Sequence, residues 1–172
     1  MSDINIAQQK FEEGMEYFVD HNYGHSIELL SQAIENDPGF ALAIKSRGAA
    51  YLRLDKVQEA VADFNTVVEM DPGNARAYHL RGLAYEKSGE DGKALDDFNR
   101  ALELNSNYGA VYHSRASLHN KMGRPEQATE DIRMVTHLTE LNIESFSNEN
   151  NVWRSQQLRL ESIYDDNLAM ER

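Results

Sequence analysis

Apolar side chains recur at helical spacing in paired stretches, broken at Asn22-Tyr23-Gly24, Leu54-Asp55-Lys56, Ser88-Gly89-Glu90 and Met122-Gly123-Arg124. That spacing places each apolar set on one face of a helix, and each break reads as a tight turn. Between pairs the chain twice reads Asp-Pro-Gly, with Pro38 and Pro72 34 residues apart. Sliding the sequence by 34 superposes Gly14, Gly48, Gly82 and Ala116, and likewise Tyr17, Tyr51, Tyr85 and His119. Ser26, Ala60, Ala94 and Ala128 coincide in the same frame, as do Leu30, Phe64, Phe98 and Ile132. The pattern predicts four copies of a helix-turn-helix unit, at about residues 7–40, 41–74, 75–108 and 109–142.

The small residues have a mechanical role. Gly or Ala at the eighth position and Ala or Ser at the twentieth let two helix backbones approach closely, while bulky side chains at positions eleven and twenty-four fill the space beside them. With these features the chain resembles the tetratricopeptide repeat family, whose 34-residue helix pairs carry the same small residues, aromatics and closing proline. The resemblance covers about residues 7–140 and implies an all-α fold: a right-handed superhelix of four antiparallel helix pairs, plus a C-terminal capping helix. Departures are concentrated toward the ends. His119 replaces the aromatic of the fourth copy, copy one matches poorly in its second helix, and Asn105-Ser106-Asn107 and Glu140-Leu141-Asn142 lack the closing proline. Terminal repeats that face solvent or a cap tolerate such drift.

One regularity goes further. Arg47, Arg81 and Arg115 occupy the seventh position of copies two to four, and Asp63, Asp97 and Asp131 the twenty-third; copy one has neither, with Glu13 and Leu29 there. Joint presence and joint absence point to one structural Arg–Asp pair per repeat, of the bidentate kind.

After residue 142 the period is lost. Ser147-Asn148-Glu149-Asn150 reads as a loop, and Trp153, Leu160, Tyr164 and Leu168 then fall on one helical stripe. Segment 143–172 is therefore expected to cap the apolar edge of the last repeat, or to serve in self-association or partner binding.

Composition narrows function rather than fold. With 17 Lys+Arg against 29 Asp+Glu the formal charge is −12, which disfavours nucleic acid and anionic membrane surfaces as general partners. The absence of cysteine removes disulfides, thiolate metal sites and thiol nucleophiles, and favours the cytoplasm. Neither a secretory signal nor an apolar run long enough to insert in a membrane is visible. Gly89-Glu90-Asp91-Gly92-Lys93 looks glycine-rich but lacks the spacing of a phosphate loop. His21 and His25 straddle a turn, and His79 and His113 sit one repeat apart, so no metal site is read. No nucleophile, base and orienting acid stand together, so no enzyme activity and no cofactor are expected.

What remains is surface. The resemblance implies that first helices line a concave groove through positions two, five, six, nine, twelve and thirteen of each copy. These carry an apolar group, Phe11, Met15, Phe18, Leu42 and Leu52, beside a basic one, Lys45, Arg53, Arg76 and Lys87, with His79, Leu83 and His113 further along. Over all 24 such positions the charge is +3, against −15 for the rest of the chain. A fitting ligand is another protein's segment with apolar anchors followed by acidic residues, held extended or as an amphipathic helix. The family's clamp for acidic chaperone tails does not fit, because its positions hold Phe11, Met15, Ser46, Leu80 and, alone in character, Arg76. A protein-interaction adaptor is thus the expected function; a self-assembling scaffold and a secretion-type chaperone stay open as alternatives.

Overall fold

A computed structural model describes residues 3–142, and the expectations placed on 143–172, including the stripe from Trp153 to Leu168, lie outside the described residues. Within them every regular element is helical: α1 (Asp3–Val19), α2 (Tyr23–Asn36), α3 (Ala41–Arg53), α4 (Val57–Met70), α5 (Ala75–Lys87), α6 (Asp91–Leu104), α7 (Gly109–Lys121) and α8 (125–142). Neighbours in sequence pack as hairpins: α1 on α2, α3 on α4 and α5 on α6, while α7 reaches α8 through Arg115 and Asp131. Each even helix also packs on the odd helix that follows, and the odd helices touch one another in order. The result is a superhelix in which α1, α3, α5 and α7 form one wall.

Both kinds of connection follow from local chemistry. The turn within each pair needs one residue in the left-handed region, filled by His21 (φ 61°), Asp55 (φ 63°), Gly89 (φ 80°) and Gly123 (φ 72°). Those residues share the fifteenth position of their copies. The first turn therefore lies at Asp20–Asn22, two residues before the expected break, and Tyr23 and Gly24 already belong to α2. Between pairs, Asp37 and Asp71 accept from the N–H of Gly39 and Gly73 at 2.9 and 3.0 Å. Asn105 does the same for Asn107 at 3.1 Å, so the third turn keeps this side-chain bond without proline.

Packing inside each pair rests on the small-residue positions. A Cβ added at Gly48 would sit 2.7 Å from Phe64, and one at Gly82 2.6 Å from Phe98. Both rings are fully buried, each contributing about 2–3 kcal/mol by leaving water. Buried alanines at 43, 50, 60, 77, 84, 94 and 101 bring the backbones together around them.

The arginines tie pairs to one another. Arg47 donates through Nε and Nη2 to Asp63 at 2.9 and 2.7 Å, Arg81 to Asp97 at 2.8 and 2.7 Å, and Arg115 to Asp131 at 2.9 and 2.6 Å. In each the remaining Nη1 donates backward, to Ser31, Asn65 and Asn99 on the second helix of the preceding pair, at 3.1, 2.9 and 2.7 Å. Each guanidinium thus bridges three helices. The equivalent of those acceptors in the fourth copy is Arg133, an exposed residue paired with Glu130, so the ladder ends there among the described residues.

Candidate functional site

The wall of odd helices contains a pocket of about 140 Å³ lined by Met15 and Phe18 from α1, Lys45, Ser46 and Ala49 from α3, and Arg76 and Leu80 from α5. Helical spacing brings these together: residues three or four apart share a face, and the stacking sets three such faces side by side. A broader, more open depression of about 560 Å³ continues from it over α1, lined by Phe11, Glu12, Met15, Glu16, Val19 and Asp20. Met15 lines both, so the two adjoin.

Lys45 and Arg76 stand on the pocket wall, and neither makes a salt bridge among the described residues. Burial, and then repulsion from Arg76, lowers the pKa of the Lys45 ammonium. An incoming carboxylate would relieve that repulsion. Phe11 and Phe18 are half-buried, held respectively against Phe40 (centroids 5.0 Å apart) and edge-on against Tyr23 (5.3 Å), which fixes the anchors' positions in advance.

Other candidates lie elsewhere. Leu52 packs against the cluster of Ala60, Phe64 and Ala84, and Leu83 against that of Ala94 and Phe98. Leu42, Arg53 and His113 are exposed but line neither depression. Lys87 binds Asp55 at 2.9 Å, and Lys121, also in the charge count, binds Asp91 at 2.6 Å, so both are neutralised by the preceding repeat. His79 is a correction. Expected on the groove wall, it is only 7% exposed, with Nε2 at 3.0 Å from the Ser114 hydroxyl and Nδ1 at 3.4 Å from that of Tyr108. Burial, then Arg76, pushes its pKa down to about 4, so the ring is neutral and structural. Ser46, Ala49 and Leu80, which fall at the sixth and ninth positions of their copies, line the pocket too, and their register in the repeat is the signal that finds them. Among the described residues no group of three or more His, Asp or Glu is placed to hold a metal ion, and no helix is long and apolar enough to cross a membrane.

Stacked helix pairs with a lined concave wall define the class of helical-repeat interaction modules. Within that class the middle of the chain matches tetratricopeptide repeat models: the one described as "Tetratricopeptide repeat" matches residues 75–108 and the one described as "TPR repeat" residues 48–89. No curated protein matches the sequence. Among solved structures, a crystal structure of MamA is similar with TM-score 0.75 at 20% identity, over 80% of this chain and 81% of that one. A MamA fragment from Desulfovibrio magneticus RS-1 is similar with TM-score 0.73 at 20% identity, over 78% and 76%. The first TPR of Spaghetti (RPAP3), bound to the HSP90 peptide SRMEEVD, is similar with TM-score 0.67 at 26% identity, over 70% of this chain and 95% of that one.

Proposed function

We propose that the protein is an adaptor that holds a short segment of another protein, apolar anchors followed by acidic residues, in the concave groove as part of a cytoplasmic assembly. The observation that carries this reading is the pocket itself. Three successive repeats enclose about 140 Å³ between Met15, Phe18, Ala49 and Leu80, with two cations on the wall that have no carboxylate of their own. The likeness to an RPAP3 repeat bound to a peptide in which Met precedes acidic residues supports the same use of the groove. The HSP90 tail is not the expected ligand, because the apolar Phe11, Met15 and Leu80 stand where its clamp would need polar or basic groups.

Binding energy comes from burying the anchors, whereas charges at the rim set direction and association rate. Capture from lysate followed by binding kinetics tests this. Phe18→Ala should weaken the captured partner by about 2 kcal/mol, roughly thirtyfold. Arg76→Glu should slow association and flatten its dependence on salt. A partner indifferent to both changes binds elsewhere.

A further inference from the structure

The pocket and the depression that adjoins it carry opposite charges. On α1, Glu12, Glu16 and Asp20 follow one another at four-residue intervals beside the apolar row Phe11, Met15 and Val19. All three acids are exposed, and none makes a salt bridge among the described residues; the nearest cation in sequence, Lys10, is taken by Glu13 at 2.8 Å. Glu12 only accepts from Gln8, at 2.7 Å. The other wall presents Lys45 and Arg76, and between the two lie Met15, Phe18, Ala49 and Leu80.

We propose that the groove takes a bipolar segment in one orientation, with a cationic side chain over the α1 acids, apolar anchors in the pocket and a carboxylate against Lys45 and Arg76. The proposal rests on the peptide-binding reading above and adds the cationic element and its place. Packed helices are about 10 Å apart, so α1 and α5 are separated by ~20 Å. About six residues of extended chain cover that distance. The separation is more than twice the Debye length of about 8 Å at physiological salt. The acids of α1 and Arg76 on α5 are therefore sensed separately, with Lys45 on α3 between them, and a segment laid the other way brings like charges together at both ends. Complementarity of this kind selects partners and register through the mismatches that it penalises.

The test is selection of random peptide segments from a display library on the full-length protein. Against the wild type, enriched peptides should carry Lys or Arg on one flank of an apolar pair and Asp or Glu on the other. With Glu12→Gln, Glu16→Gln and Asp20→Asn combined, the basic preference should fall to library background while the acidic one persists. With Lys45→Gln and Arg76→Gln combined, the reverse should hold. The single reversal Glu16→Lys, on an exposed position, should shift the first flank away from basic residues. Basic enrichment that is absent from the wild type, or unchanged by the α1 variants, overturns the bipolar proposal. If Phe18→Ala enriches the same peptides as the wild type, the groove reading itself fails, whatever charges flank the anchors.

Discussion

Replacing Arg81 by methionine asks how much of the stack depends on the ladder. Its guanidinium makes two hydrogen bonds to Asp97, at 2.8 and 2.7 Å, and one to Asn65 at 2.9 Å, with the side chains of Arg81 and Asp97 only 18% and 8% exposed. Methionine fills much of the volume but leaves the Asp97 carboxylate buried without its partner, which costs about 3–5 kcal/mol. Asp97→Leu alone strands the guanidinium, but with Asn65 still bonded and partial access to water the cost should be nearer ~2–3 kcal/mol. With both changes no buried charge remains, and the double variant should lie within ~1–2 kcal/mol of the wild type. Asn65→Ala removes a single charge-assisted bond and should cost about 1.5 kcal/mol. Urea denaturation followed by circular dichroism gives all four free energies. The double-mutant cycle should return a coupling above ~2 kcal/mol. Additive single effects would refute the pairing as a source of stability.

Two further outcomes follow from the packing. Gly82→Ala places a Cβ 2.6 Å from Phe98 Cε1 and 3.3 Å from the Ala94 carbonyl oxygen, so strain should outweigh the gain in helix propensity and destabilise by about 1–2 kcal/mol, partly recovered by Phe98→Leu in the same chain. For His79 the folded pKa of about 4 lies below the ordinary 6.5, so between those values the unfolded chain binds a proton that the folded chain does not. Stability should fall as the pH drops through that window, by up to about 3 kcal/mol, and His79→Asn should flatten that part of the profile in pH-dependent chemical denaturation.

The repeat was legible because its contacts are local and recur. Gly48 against Phe64 and Gly82 against Phe98 lie sixteen residues apart, so a shift by one period shows both partners together. The arginine register was visible for the same reason. Its backward bonds to Ser31, Asn65 and Asn99 were not, since serine and asparagine do not look like one conserved chemistry until geometry shows both as acceptors. The first turn was displaced because Asn22-Tyr23-Gly24 has turn-forming residues, yet His21 takes the left-handed backbone and Asn22 caps α2, accepting from the His25 N–H at 3.4 Å. His79 and His113 share a register but not a fate. Ser114 of the next pair and Tyr108, in the connection that leads to it, draw the first ring inward, a contact between unequal positions that periodicity does not encode. Charge counting likewise placed Lys87 in the groove, whereas Asp55, at the left-handed turn before it, holds it.

The central claim is that the concave pocket is where the partner sits. A photo-crosslinking residue introduced at Ser46, which lines that pocket, and in a second variant at Thr66, exposed on α4, reports contact directly in cells. The expected result is a covalent adduct with another protein from position 46, lost on adding Phe18→Ala, and none from position 66. Adducts from position 66 with none from position 46 would contradict the account.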